Sequence, residues 1–262
     1  MIDRTSTMKQ PHNAFKAALA RREAQIGLWL SLADAYVAEM VATAGFDWLL
    51  IDAEHGPNDL RCVLAQLQAI APYPVSAVVR PVTGDTALIK QYLDAGVQSL
   101  LVPMVHSAAQ AAEVVAATRY APRGTRGLGG AMSRVTRWSR VDDYVAHAHD
   151  EICLLVQAES KEAMADLAAI AAVDGVDGVF FGPADLSASM GHLGEFDHPD
   201  VLAAIAAGIA TVLAAGKAPG IISTDPNVSE RYLQRGALFV AVGVEADLLI
   251  NAAAALAARF KR

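Results

Sequence analysis

Short apolar runs alternate with longer amphipathic runs along most of the chain, and this alternation restricts the fold more than any other feature. The apolar runs are rich in Val, Ile and Leu, as is typical of parallel strands that are covered on both faces. We predict eight strands, at residues 25–30, 47–52, 75–80, 99–104, 152–157, 177–182, 218–223 and 237–242. Helices are predicted at residues 34–44, 58–70, 85–95, 107–119, 160–171, 200–215, 226–235 and 245–259.

Eight strand–helix units in a chain of 262 residues predict a single α/β domain, a (β/α)8 TIM barrel that spans residues 1–262. An open, doubly wound sheet is the main alternative. The barrel is favoured because there are eight strands and because no glycine-rich dinucleotide turn follows the first of them. Residues 1–12 are expected to be flexible.

The segment 121–148 is long for a connection and carries five arginines in a chain whose net charge is -7. Long loops in compact domains are usually either functional or disordered. Two interpretations are open for this one. It is either a lid on the active face that attracts an anionic substrate, or a solvated or subunit-contacting loop.

The overall charge and composition exclude several classes of function. A net charge of -7 argues against nucleic acid and anionic membrane surfaces as partners, because both require basic patches. No uninterrupted apolar stretch of about 18 residues is present, so no membrane-spanning helix is expected. The two cysteines, Cys62 and Cys153, lie in patterns typical of buried thiols. A reducing compartment, and therefore a cytoplasmic location, is expected.

Ionisable and polar residues gather where the predicted strands end. In a barrel of this type the carboxyl ends of all strands meet at one face, where the chemistry takes place. The predicted amino ends of the strands carry no comparable set. The residues at or just after the carboxyl ends are Trp29, Asp52, Glu54, His55, Arg80, Gln157, Glu159, Asp185 and, after the seventh strand, Ser223.

Glu159 and Asp185 follow consecutive strands and form a candidate metal site. Two carboxylates that leave positions open for water or substrate suit a divalent cation that prefers oxygen ligands, such as Mg²⁺ or Mn²⁺. In the alternative interpretation, each acid stabilises only the first turn of the helix that follows it.

His55 and Arg80 are the candidate catalytic groups. A carboxylate from Asp52 would fix the tautomer of His55 and raise its basicity. Arg80 is suited to bind a carboxylate or a developing enolate oxygen. Asp94, near the end of a predicted helix, either supports His55 or makes a surface contact. No lysine follows a predicted strand at its carboxyl end, which argues against Schiff-base chemistry.

Nine motifs between residues 27 and 246 occur in the order typical of one family. They are "GLWLSL", "GFDWLLIDAEHGPND", "VVRP", "AGVQSLLVPMV", "APRGTRGLGG", "QAES", "GVFFGPADLSASMG", "GKAPGI" and "FVAVGVE". The chain resembles the class II, metal-dependent pyruvate aldolases of the HpcH/HpaI group, which include 4-hydroxy-2-oxoheptanedioate and 2-keto-3-deoxy sugar-acid aldolases.

The resemblance implies a role for each site residue. Glu159 and Asp185 bind Mg²⁺, Mn²⁺ or Co²⁺, Arg80 contacts the pyruvyl group, and His55 acts in acid–base chemistry with support from Asp52 and Asp94. Glu54 is assigned to orienting a water on the metal. The residues expected to line the substrate site are Trp29, Gln157, Ile222 and the backbone of Gly182, Pro183, Ala184 and Asp185.

The expected activity is reversible cleavage of a 4-hydroxy-2-oxo acid to pyruvate and an aldehyde, in the catabolism of aromatic compounds or sugar acids. The resemblance also implies a homohexamer, a trimer of dimers, in which the last helix exchanges between subunits. Two alternatives differ in class. One is a related lyase that cleaves a malyl- or citramalyl-type coenzyme A thioester or decarboxylates oxaloacetate; the other is a non-catalytic 2-oxo acid binding protein.

Overall fold

The computed structural model describes residues 8–261 and contains a closed barrel of eight parallel strands in sequential order. This confirms the predicted (β/α)8 fold, and each observed strand overlaps its predicted range. The strands are β1 (Gln25–Leu30), β2 (Trp48–Asp52), β3 (Ser76–Arg80), β4 (Ser99–Val102), β5 (Cys153–Ala158), β6 (Gly178–Phe181), β7 (Ala218–Ile222) and β8 (Phe239–Val244).

Twelve α-helices accompany the strands in the described part of the chain. They are α1 (Ala14–Ala20), α2 (Ala35–Ala42), α3 (Leu60–Ile70), α4 (Thr86–Ala95), α5 (Ala108–Thr118), α6 (Tyr144–His147), α7 (Lys161–Ala165), α8 (Leu167–Ala172), α9 (Pro183–Met190), α10 (Pro199–Ala214), α11 (Pro226–Gln234) and α12 (Glu245–Phe260).

The helices differ from the prediction at four places, one of which is the short α6 inside the segment 121–148, where no helix was predicted. The predicted helix 160–171 is divided into α7 and α8 at Asp166, whose carboxylate accepts a hydrogen bond from the Ala108 backbone N–H at 2.7 Å. Helix α1, capped by Asn13, and helix α9, which begins at Pro183, were not predicted. No helix among residues 8–261 is long and apolar enough to cross a membrane.

Two apolar layers hold the barrel together. The outer layer packs the strands against the surrounding helices, and the inner one fills the barrel lumen with aromatic rings. Phe15 of α1 is fully buried and closes the amino-terminal end of the lumen, with its ring 5.7 Å from Trp48 and 6.0 Å from Phe239. The lumen is therefore sealed at this end, and polar groups are left at the carboxyl-terminal end.

The long segment 121–148 lies at the amino-terminal face of the barrel. It connects the end of α5 to the start of β5, and the Arg134 guanidinium donates to the Ala95 carbonyl at the end of α4. The interpretation of this loop as a lid on the active face of its own chain is therefore wrong, whereas a role in subunit contacts stays a prediction. Of the segment expected to be flexible, residues 1–7 lie outside the described residues, and Met8 forms a β-bridge with Val141.

Candidate active site

A buried ion pair between β2 and β3 forms the base of the site. Asp52 and Arg80 are paired residues at the ends of these neighbouring strands, so both side chains project toward the mouth of the barrel. Arg80 Nε and Nη2 donate to the two Asp52 carboxylate oxygens at 2.9 and 2.6 Å. The Trp29 indole N–H donates to the same carboxylate at 3.1 Å, and its ring lies under the guanidinium. This bidentate pair fixes the orientation of Arg80.

The third guanidinium nitrogen of Arg80 faces the mouth. Arg80 Nη1 lies 2.8 Å from Glu54 Oε2 and 3.4 Å from Gln157 Oε1. Burial alone would raise the pKa of Asp52, but the paired guanidinium outweighs this effect and holds the pKa below its usual value. Asp52 therefore stays ionised, and its charge is matched by that of Arg80.

The predicted pairing of Asp52 with the His55 imidazole is wrong. In the described structure the Asp52 carboxylate accepts from Arg80, from Trp29 and from the backbone N–H groups of Glu54 and His55. The His55 side chain is 69% exposed, and its Nε2 lies 3.9 Å from Glu54 Oε2. The carboxylate beside the imidazole is thus Glu54, because the turn after β2 turns His55 away from Asp52.

Asp94 does not support His55 of its own chain. It lies near the end of α4, which returns to the amino-terminal face, and it accepts a hydrogen bond from Arg126 at 2.7 Å. The Arg126 side chain is fully buried in the long loop segment. In this chain Asp94 therefore anchors that segment to α4.

Glu159 follows β5 and is almost completely buried at the carboxyl-terminal face. Its carboxylate accepts hydrogen bonds from the Met104 backbone N–H at 2.8 Å and from the Gln157 amide at 2.6 Å. Burial, mainly, and the nearby carboxylates of Asp185 and Glu54 together raise the pKa of Glu159 to about 7, against the lowering effect of the two hydrogen bonds. Glu159 is thus a carboxylate whose negative charge is poorly compensated.

The electrostatic environment of Glu54, Glu159 and Asp185 favours the binding of a cation. Burial raises the pKa of Glu54, and Asp185 contributes in the same direction. The repulsion between neighbouring carboxylates is relieved when a divalent ion binds between them. Their donor atoms are all oxygens, as Mg²⁺ and Mn²⁺ prefer. The residues present therefore fit the predicted metal site, with Glu159 and Asp185 as the proposed ligands.

The amino terminus of α9 completes the site. Gly182 is the N-cap, Pro183 occupies the first turn, and no side chain caps the helix. The first N–H groups of a helix have no partner within it, and they attract anions. Because Pro183 has no N–H, the Ala184 and Asp185 amides are the free donors at this terminus.

We expect Gly182→Ala to inactivate the site. A Cβ atom at this position would overlap the Oε2 atom of Glu159, and it would lie 3.1 Å from the Cβ atom of the same side chain. The carboxylate would have to leave its place, so Mg²⁺ affinity should fall by at least about tenfold, as for perturbation of a group that orients a ligand. Isothermal titration measures this change. Gly127→Ala is the control, since this exposed glycine has no left-handed φ and its added Cβ would meet only the flexible Lys90 side chain, at 3.3 Å. Unchanged Mg²⁺ affinity in Gly182→Ala would contradict this account.

The remaining predicted residues lie at the same mouth. Ile222 ends β7 and packs against the inner apolar cluster that contains Trp29. Two supporting residues were missed. Met104, in a left-handed backbone conformation, presents its N–H to Glu159, and the buried Glu245 accepts hydrogen bonds from the Ser31 and Leu32 backbone after β1. The position of Met104 directly after β4 was the available signal.

A family model and several known proteins resemble this chain. The model of the HpcH/HpaI aldolase/citrate lyase family matches residues 25–252. A hydroxypyruvate/pyruvate aldolase from Pseudomonas aeruginosa is 60% identical over 97% of this chain and 95% of its own length. A 4-hydroxy-2-oxo-heptane-1,7-dioate aldolase from Salmonella arizonae is 59% identical over 95% of this chain and 94% of its own.

A solved structure shows the same relationship. A HpcH/HpaI aldolase/citrate lyase family protein from Burkholderia cenocepacia J2315 superposes with a TM-score of 0.92 at 38% identity, covering 95% of this chain and all of that one. The chain belongs to the HpcH/HpaI aldolase/citrate lyase family.

Proposed function

We propose that this protein is a class II pyruvate aldolase, a carbon–carbon lyase that reversibly cleaves a 4-hydroxy-2-oxo acid to pyruvate and an aldehyde. The observation that carries the proposal is the group of three mutually repelling acids beside a fixed arginine at the mouth of the barrel. Relatives of about 60% identity that are named as aldolases support it.

The proposed cofactor is a divalent cation held by Glu159 and Asp185. When bound, Mg²⁺, Mn²⁺ or Co²⁺ supplies Lewis-acid polarisation of the 2-oxo group. Glu54 lies beside the proposed ligands, and we retain for it the role of orienting a water there. The Gln157 amide holds Glu159 in place through its 2.6 Å hydrogen bond.

The chain's own residues bind the substrate and handle its protons. The free Ala184 and Asp185 amides of α9 bind the substrate carboxylate, and Arg80 Nη1 stabilises negative charge on the C2 oxygen. His55 takes the proton of the C4 hydroxyl as the C3–C4 bond breaks, and the resulting enolate is then protonated at C3 to give pyruvate. The adjacent Glu54, 3.9 Å away, stabilises the protonated imidazole. Asp52 acts through Arg80, which it holds in position.

A panel assay of aldol addition tests the proposed function. Pyruvate and hydroxypyruvate are offered as donors with semialdehydes and hydroxyaldehydes as acceptors, in excess Mg²⁺, and donor consumption is followed by chromatography. We expect adduct with at least one acceptor class and none after chelation. A chain that consumes no donor with any acceptor, yet binds pyruvate, would be the non-catalytic binding protein.

We also propose that α12 packs on a neighbouring subunit in a hexamer. Five large apolar side chains of this helix are 58–80% exposed, namely Leu248, Leu249, Ile250, Leu256 and Phe260. Contiguous apolar surface of this kind marks a protein–protein contact. A cytoplasmic location stays a prediction.

We expect Leu249→Glu/Leu256→Glu to reduce the oligomer to smaller species, because two charges would be buried in the proposed contact. Light scattering after size-exclusion chromatography measures the mass. Tyr36→Glu is the control, since Tyr36 is a large side chain on a different helix, α2, and is even more exposed, at 78%. An unchanged mass in the α12 variant would contradict the proposal.

A further inference from the structure

A second cluster of metal-binding side chains lies between α9 and α10, and the proposed aldolase chemistry does not use it. Residues His192, Glu195 and His198 place one possible ligand atom each within 4.8 Å of one another. Helix α10 begins at the carboxyl-terminal face, because it must return from there to the start of β7. The cluster is therefore on the active face, in the loop that follows α9.

A fourth group approaches the two histidines. An Asp200 carboxylate oxygen lies 3.5 Å from His192 Nε2 and 3.8 Å from His198 Nδ1. Ligands bound at 2.0–2.1 Å to a tetrahedral zinc ion are about 3.4 Å apart. The two separations from Asp200 thus approach those of a tetrahedral site, and rotation of the side chains, which are exposed or partly exposed, would bring the remaining ligand atoms into place.

The backbone of the loop holds the cluster together. The His192 N–H donates to the Ser187 carbonyl at 2.7 Å, the Glu195 N–H to the His192 carbonyl at 2.9 Å, and the His198 N–H to the Glu195 carbonyl at 3.1 Å. The two imidazole rings stack at 3.4 Å with an interplanar angle of 15°. The chain of backbone hydrogen bonds keeps the ligand groups on one short loop. Because a metal ion lies in the plane of an imidazole that binds it, one ring has to rotate out of the stack for both rings to bind the same ion.

We propose that His192, Glu195, His198 and Asp200 form a zinc site that closes the loop between α9 and α10. Two imidazoles with carboxylates suit Zn²⁺ far better than Mg²⁺, whereas the all-oxygen acids at the mouth suit Mg²⁺. The ion would fix the end of α9, the helix whose first turn carries Asp185. The site is separate from Glu159.

Zinc titration of the chelator-stripped enzyme in a large excess of Mg²⁺ tests this proposal. A chromophoric competitor reports the affinity. We expect one zinc ion per chain at this site. His192→Gln/His198→Gln should weaken the zinc affinity by more than about 100-fold, because residues that only orient a metal ligand typically contribute about 10–100-fold. Glu195→Gln, a change at an exposed position, should weaken it at least about tenfold. Zn²⁺ should also raise the melting temperature of the wild type but not of the double variant.

Two controls make the test specific. The first is His147→Gln/His149→Gln, which removes two other histidines. Their ring nitrogens lie 3.1 and 3.2 Å from carboxylate oxygens of Asp150. This variant should bind zinc like the wild type. Glu159→Gln should also keep the ion. Wild-type zinc affinity in His192→Gln/His198→Gln, or equal loss in either control, would overturn the proposal.

Discussion

Replacing Arg80 by lysine is expected to lower kcat/KM for aldol cleavage by about 10²–10³-fold, as removal of one charge-stabilising donor does in other enzymes. Lysine keeps the positive charge that Asp52 and Glu54 require. Lysine lacks the planar guanidinium. In Arg80 this group binds Asp52 through Nε and Nη2 and at the same time presents Nη1 to the mouth of the barrel. The folded state should therefore survive while the geometry is lost. Steady-state kinetics and circular dichroism measure the two effects.

Replacing Arg80 by alanine should affect folding as well as catalysis. Asp52 is 2% exposed and would lose its charge partner. Breaking a buried ion pair from one side costs about 3–5 kcal/mol. Urea denaturation should show this loss, whereas Arg61→Ala on the exposed side of α3 should stay within about 0.5 kcal/mol of the wild type. For the lysine variant, a wild-type value of kcat/KM would contradict the role of Arg80 in the mechanism.

Chelation with EDTA is expected to abolish activity, and the affinity for Mg²⁺ should depend steeply on pH. The pKa of Glu159 is raised to about 7, so below that pH the ion must displace a proton. Apparent affinity should fall about tenfold per pH unit below 7 and level off above it. Isothermal titration between pH 6 and pH 8 measures the change, and proton release in different buffers confirms its origin. An affinity that is constant over this range would contradict the assignment of Glu159.

The same raised pKa makes the metal-free protein less stable as pH increases. A carboxyl group whose pKa is higher in the folded state favours folding when it is protonated. The contribution is complete below about 4.5 and is lost as pH rises through about 7. By linkage the loss amounts to about 3 kcal/mol. Glu159→Gln should remove this pH dependence in EDTA, because glutamine cannot ionise, and it should also abolish activity.

The sequence predicts the barrel well because the strand signal is local. Apolar and amphipathic runs alternate eight times along the chain, and the side chains of Asp85, Ser107 and Asp225 cap α4, α5 and α11. Helix α9 was missed because "GPAD" reads as a loop, although Pro183 in fact begins the helix. Helix α1 was missed because its amphipathic pattern lies in a charged segment, and its partners in the lumen are distant in sequence.

The residues of the site could be predicted from the sequence, but not which of them form hydrogen bonds and ion pairs with one another. Topology alone brings the strand ends to one face, which is why Arg80, Glu159 and Asp185 were recognised. Which groups bond depends on strand register and turn geometry. Asp52 is opposite Arg80 across the β2–β3 pair, whereas His55 is only three residues away along the chain but on a turn that points elsewhere. Sequence proximity was therefore a poor guide to contact.

The exchange of pyruvate methyl protons in D₂O tests the central claim most directly, since it requires proton removal at C3 without any aldehyde. Proton NMR follows the methyl signal in the presence of wild-type enzyme. We predict that the signal decays with Mg²⁺, stays constant in EDTA and stays constant with Glu159→Gln. Equal decay in EDTA would contradict the metal-dependent mechanism, and no decay with Mg²⁺ would contradict the aldolase assignment.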